Sequence, residues 1–199
     1  MTEDVIRKLP EALSRHICTL RKASTDSSND AQMCGSPLKV VNFDKIPKEY
    51  SCGKNRPFMP RSNDALYIGK DDVWHFIEFK NGKIDKSEIY RKIYDSIIML
   101  IEMGIVPDFE FLRSHAEYIL VYNSDKYPVI QESESRSENF SYLFNLAKEE
   151  ERLFDIEKFE HYLFHKTHTY TKERFQTCFV TPMEKQEGLT TDMGKEESI

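Results

Sequence analysis

The sequence predicts an α/β fold of the α+β kind, a mixed β-sheet with flanking helices. Three observations carry that prediction. Two apolar runs, residues 64–69 and 73–80, flank a short polar turn in the manner of a β-hairpin. A helix-period segment follows at once over residues 86–103, with Ile89, Ile93, Ile97, Leu100 and Ile101 on one face. Residues 118–122, Tyr-Ile-Leu-Val-Tyr, are then apolar on both faces, which suits a strand in the middle of a sheet. Hairpin, crossing helix and buried strand pack as a sheet covered by helices.

The other elements are read in chain order. Residues 2–22 carry Val5, Ile6, Leu9, Leu13, Ile17 and Leu20 at helical spacing, with Pro10 marking an alternative start. Residues 24–36, rich in Ser, Asp and Asn, read as a loop. Residues 38–43 read as a short strand, and residues 47–60 as a long connection. Asn81-Gly82 ends the second hairpin strand, and Gly104 and Pro107 stop the long helix. A further helical turn is expected at 109–115. Residues 131–138 read as loop, 139–148 and 155–165 as helices, and 175–180 as a last strand. Ile156, Phe159, Tyr162 and Leu163 are expected to face inward from the second of those helices. The expected organisation is one domain over 1–182 and a disordered tail over 183–199, where the chain is charged and nearly free of aromatics.

Composition narrows the function classes. A chain of 199 residues suits one domain with a substantial core. The net charge of −6 argues against a broadly basic surface for nucleic acid, although not against a local groove or a metal-bridged contact. Cys18, Cys34, Cys52 and Cys178 form no CxxC pair, so neither a zinc knuckle nor a redox motif is indicated. No apolar run approaches the roughly 20 residues of a membrane helix. The N-terminus lacks the apolar core of a signal peptide, so a cytoplasmic location is expected.

Three charges sit inside the apolar hairpin: Asp64, Glu78 and Lys80. Unpaired buried charge is costly, so their placement calls for a reason. A turn centred on Asp71 makes paired residues sum to 142, which sets Asp64 opposite Glu78. Lys80 then shares the face of Glu78. Opposed residues have Cβ atoms roughly 4.5–5.5 Å apart, close enough for two carboxylates to share a hard cation. A slip of one residue would remove Asp64 from that face.

An Asp on one strand, Glu-x-Lys on the next and a helix directly after resembles the PD-(D/E)xK nuclease superfamily. The motif here is Asp64 followed by Glu78-Phe79-Lys80, and the similar segment spans about residues 63–123. The phrase Phe-Ile-Glu-Phe-Lys-Asn-Gly also looks like one found in uncharacterised bacterial proteins of this kind. The resemblance implies a restriction-endonuclease-like core and metal-dependent hydrolysis of phosphodiester bonds in nucleic acid. It implies Mg²⁺ or Mn²⁺ held by Asp64, Glu78 and the Phe79 carbonyl, with Lys80 orienting or helping to deprotonate the attacking water. A basic residue on the following helix is common in the family; Lys92 fits best, with Arg91 as the alternative. Glu11 is the candidate for a first-helix acid. Asn63 stands where the family often has Pro.

Other readings belong beside this one. Glu78 and Lys80 could be a solvent-facing pair on an edge strand, and Lys92 a solvated helix lysine. Asp95 and Ser96 could pair with Arg91 and Lys92 as helix support. Arg56 and Arg61 precede the hairpin and are candidates to meet a phosphate. His161 and His165 are four apart, as in zinc-binding helices, and His168 is near, but no HExxH or neighbouring Cys accompanies them. Surface or half-buried histidines are the simpler reading. The functional alternative is a catalytically inactive nuclease-fold protein that binds a protein partner.

Overall fold

The computed structural model describes residues 1–26, 31–52, 58–82, 84–126 and 153–189. In chain order its elements begin with α1 (Glu3–Lys8), α2 (Glu11–Ser14), β1 (Ile17–Thr19) and α3 (Leu20–Ala23). A small pair, β2 (Thr25–Asp26) and β3 (Ala31–Gln32), precedes β4 (Lys39–Asn42) and α4 (Ile46–Ser51). The hairpin strands are β5 (Ala65–Ile68) and β6 (Trp74–Lys80), followed by α5 (Lys86–Glu102), α6 (Phe109–His115) and β7 (Ala116–Tyr122). The described chain closes with β8 (Lys166–Thr171), α7 (Lys172–Phe175) and α8 (Thr181–Glu187).

A mixed six-stranded sheet in the order β1-β4-β5-β6-β7-β8 forms the centre. Neighbours from β1 to β6 are antiparallel, whereas β6, β7 and β8 run parallel. The change of sense follows from the connections. A tight turn joins β5 to β6, with Asp72 at φ 60° and the Gly69 N–H bonded to the Val73 carbonyl at 2.9 Å. Between β6 and β7 the chain crosses through α5 and α6, which returns it for parallel pairing. Asp85 caps the start of α5 by accepting from the Ser87 N–H at 2.8 Å, and Gly104 at φ +68° turns the chain out at its end. β7 lies between two strands, and its apolar residues on both faces are buried.

Each sheet face has its own cover. Ile89, Ile93, Ile97 and Leu100 of α5 are buried on the face that carries Phe76 and Glu78. The opposite face is covered from the C-terminal side. There Phe175 meets Phe79 edge-on at 5.6 Å, and Phe179 meets Tyr67 at 5.5 Å. Among the described residues no helix is long and apolar enough to cross a membrane.

Several expectations are corrected. The first helix is broken into α1 and α2 at Pro10, and Ile17–Thr19 joins the sheet against β4. The 24–36 loop contains the pair β2–β3. Residues 155–165 are short 3₁₀ turns rather than a helix, because Phe154, Asp155 and His161 all adopt positive φ. Tyr162 is consequently exposed, while Ile156, Phe159 and Leu163 are buried. The missed strand β8 alternates Thr167 and Thr169 inward, both buried. Residues 175–180 are helical, not a strand, since Phe175 and Phe179 are spaced four apart to pack one face. Residues 183–187 of the expected tail belong to α8, where Glu187 accepts from the Met1 ammonium at 2.5 Å and from the Tyr67 hydroxyl at 2.8 Å, and residues 190–199 of it lie outside the described residues. The expected helix at 139–148 and the 131–138 loop lie outside the described residues.

Candidate active site

The hairpin register is the one the turn implies: Ala65 pairs with Ile77, Leu66 with Phe76 and Ile68 with Trp74, each pair summing to 142. The ladder stops one residue short of Asp64, which sits at a bend. The Asp64 N–H bonds the Ile77 carbonyl at 3.1 Å, and its own carbonyl accepts the Phe43 N–H at 3.0 Å. Asp64 is thus pinned between the end of β4 and the body of β6. Its carboxylate turns onto the edge of β6 and accepts the Phe79 N–H on Oδ2 at 2.6 Å. In an extended strand the N–H and C=O of one residue project to the same edge, so the Phe79 carbonyl also faces the Asp64 side.

Lys92 closes the site from above. Its Nζ lies 2.7 Å from Glu78 Oε1 and 3.1 Å from Asp64 Oδ1. Lys80 Nζ approaches the same Glu78 oxygen at 3.1 Å and Glu88 Oε2 at 3.5 Å. Two strands and one helix therefore bring together Asp64, Glu78, Lys80 and Lys92. The surface-pair reading of Glu78 and Lys80 does not hold: the Glu78 side chain is 0% exposed and that of Lys80 is 13%. Nor is Lys92 a solvated helix lysine, with 14% of its side chain exposed. Helical periodicity explains its position, three residues after Ile89 and four before Ser96 on the buried face.

Neighbouring candidates do not converge. Glu11 pairs with Arg15 on the surface, Arg91 pairs with Asp95 one turn along, and both Glu11 and Arg91 are exposed. Asp95 and Ser96 do more than brace the helix. The Asp95 carboxylate accepts the Arg61 N–H at 2.8 Å, and buried Ser96 Oγ accepts the Asn63 N–H at 3.0 Å. They tie the segment that leads through Asp64 into β5 to α5. The Arg61 side chain is exposed, and Arg56 lies outside the described residues. His161 and His165 share no helix, and their rings stand 6.5 Å apart. His168 instead turns to Glu117, which also meets His75, at 3.3 and 3.5 Å.

Electrostatics set the site apart from an ordinary ion-pair patch. Burial pushes the Glu78 carboxyl up to about 8, aided by Asp64 and opposed by Lys92 and Lys80. Burial alone would lower the Lys92 ammonium, but Glu78 and Asp64 outweigh it and hold the group above its usual value. Glu78 Oε2, the Tyr118 hydroxyl and both side-chain amide atoms of Asn63 are buried without a protein partner. Burial first, then the Glu78 and Asp64 charges, drive the Tyr118 hydroxyl well above its ordinary range.

Asp44 is a third acid that the sequence reading missed. It follows Phe43, whose N–H is bonded to Asp64, and it lines a cleft of about 240 Å³ together with Asp64 and Phe79. Surrounding protein raises its carboxyl to about 6, with Asp64 adding to the shift, although much of the residue surface remains exposed. The available signal was an Asp placed directly after the short strand-like run Val40-Val41-Asn42-Phe43.

The donors that converge are carboxylate oxygens with a nearby backbone carbonyl, a set suited to a hard divalent cation. Among the described residues no group of three or more His, Cys, Asp or Glu side chains is arranged to hold a metal. Lys92 instead supplies the positive charge shared by Asp64 and Glu78. No family model matches the chain, and neither a curated protein nor a solved structure matches it.

Proposed function

We propose that the chain is a metal-dependent phosphodiesterase of the PD-(D/E)xK type, acting on nucleic acid. The observation that carries this reading is the convergence of Asp64, fully buried Glu78, Lys80 and Lys92 at the open end of a hairpin. A protein gains little stability from such a cluster, since a buried ion pair costs about as much to desolvate as it returns. Its orphaned Glu78 Oε2 is an oxygen still lacking a partner.

Asp64, Glu78 and the Phe79 carbonyl would hold Mg²⁺ or Mn²⁺. When bound, such an ion supplies positive charge to the phosphate oxygens and lowers the pKa of a coordinated water. The protein's own contributions are separate. The Phe79 N–H orients the Asp64 carboxylate, and Lys92 holds Glu78 beside it. Lys80 donates hydrogen bonds that place the attacking water, with Glu88 fixing the ammonium from outside. Hydrolysis adds the water oxygen to phosphorus and breaks the bond to the leaving sugar oxygen, which takes up a proton. Because burial holds the Glu78 carboxyl above its usual range and the group must lose its proton to serve as a ligand, Mn²⁺ binding should tighten as pH rises.

The test is Mn²⁺ binding by calorimetry and cleavage of labelled nucleic acid, for wild type and Glu78→Gln. Loss of both in the variant is the expected result, and equal behaviour of the two proteins overturns the reading. A second reading, an inactive relative that binds a protein partner, draws on one observation: Lys92 already neutralises the acidic pair without a metal. That version expects no Mn²⁺ binding by either protein.

A further inference from the structure

We propose that Tyr118 is a positioning residue of the site: its hydroxyl, acting through a buried water, holds the second oxygen of Glu78 and fixes how that carboxylate is presented to the cation. The role rests on the phosphodiesterase reading above. Sheet register supplies the geometry. In the parallel pairing of β6 and β7, Phe76 lies beside Tyr118 and Glu78 beside Leu120. Tyr118 therefore projects from the same face as Glu78, diagonally across the two strands. Diagonal neighbours on one face are within reach when one side chain is aromatic and the other long.

Packing fixes the ring and leaves its hydroxyl to find a partner. Tyr118 is buried against Phe164, with ring centroids 5.4 Å apart, and Phe164 also packs on Phe76 at 5.5 Å. Of the two Glu78 oxygens, Oε1 is engaged by Lys92 and Lys80. Oε2 and the Tyr118 hydroxyl are both buried and have no hydrogen-bond partner among the described residues. Two such groups on one face call for a bridging water, because leaving both bare costs the desolvation of each. Charge agrees with this pairing. After burial, Glu78 and then Asp64 raise the Tyr118 hydroxyl most, so the phenol keeps its proton and faces the carboxylate as a donor. A carboxylate oxygen has two lone pairs, so a water on Oε2 leaves a direction open for the ion. Carboxylates that ligate metals are themselves hydrogen-bonded, and removing such a support typically weakens metal binding about 10–100-fold.

Tyr118→Phe keeps the ring and its contact with Phe164 and removes only the hydroxyl. In the full chain it should raise the calorimetric Kd for Mn²⁺ about 10–100-fold. Phe164→Leu disturbs the same packing and spares the hydroxyl, so its Kd should stay within about threefold of wild type. A second measurement needs no metal. Urea unfolding of Tyr118→Phe, Glu78→Gln and the double variant should show a coupling of about twofold or more in the unfolding constant. Equal Mn²⁺ affinity in wild type and Tyr118→Phe, an equal loss in Phe164→Leu, or additive effects in the cycle overturns the role of Tyr118 and leaves the phosphodiesterase reading standing. Absence of Mn²⁺ binding by the wild type overturns both.

Discussion

Lys92→Met isolates the electrostatic design of the site, because it removes one charge and keeps an unbranched side chain only one atom shorter. In the wild type, Nζ touches Glu78 at 2.7 Å and Asp64 at 3.1 Å, with 14% of the lysine side chain exposed. Deleting one partner of a buried pair typically costs about 3–5 kcal/mol, since the other charge is left uncompensated. Here the cost depends on pH. Glu78 already sits near 8 with both lysines present, and without Lys92 its carboxyl rises further. At about pH 6 the variant can therefore bury a neutral acid, and the loss should fall to about 1–2 kcal/mol, mainly the broken hydrogen bonds. Around pH 9 Glu78 must either ionise beside Asp64 or hold its proton against the solvent, each further pKa unit costing about 1.4 kcal/mol. Stability of the variant should thus decline more steeply with rising pH than that of wild type, as expected for an acid whose folded pKa exceeds its unfolded value. Urea unfolding of both proteins at about pH 6, 7.5 and 9 measures this directly. A pH-independent difference below about 1 kcal/mol would refute the idea that Lys92 compensates a buried Glu78.

Further predictions test the supports around the site. Ser96→Ala leaves the buried Asn63 N–H unpaired and should cost about 1–3 kcal/mol in urea unfolding; a neutral result would mean that water replaces the hydroxyl. Glu117 is held far below the usual carboxylate range by its bonds to His168 and His75, which outweigh burial. Glu117→Gln should therefore destabilise by about 1.5–3 kcal/mol near neutral pH. That gap should close as acid lowers the pH through the depressed Glu117 value, and a gap constant to acid pH would show that its charge contributes nothing. Phe179→Ala should lose about 3–5 kcal/mol by opening a void against Tyr67 and His75, a test of whether the C-terminal helical segment belongs to the core. An unfolding midpoint unchanged from wild type would detach that segment from the domain.

The parts of this protein that the sequence by itself determined are those set by short-range periodicity. The alternation of Asp64-Leu66-Ile68 against Trp74-Phe76-Glu78 fits one hairpin register if the turn is centred on Asp71, a centre the turn residues do not fix, and from Ala65 to Ile68 that register is observed. The isoleucines of α5 specify a buried face, and Lys92 lies on it by helical spacing. The doubly apolar run in β7 marks an interior strand for the same reason. Tertiary structure alone decided what has no local period. Ile17–Thr19 and Lys166–Thr171 are strands because neighbouring strands supply their hydrogen bonds, not because their own residues demand it. Phe175 and Phe179 fit a strand or a helix until the opposite sheet face selects the spacing of four. Asp44 joins Asp64 only because β4 ends beside β5, and Glu11 falls away because Pro10 divides the first helix. Charge compensation at the site is likewise a three-dimensional fact. Two carboxylates on adjacent strands and lysines from strand and helix carry no mutual signal in sequence, yet their burial together sets the protonation and the chemistry proposed for them.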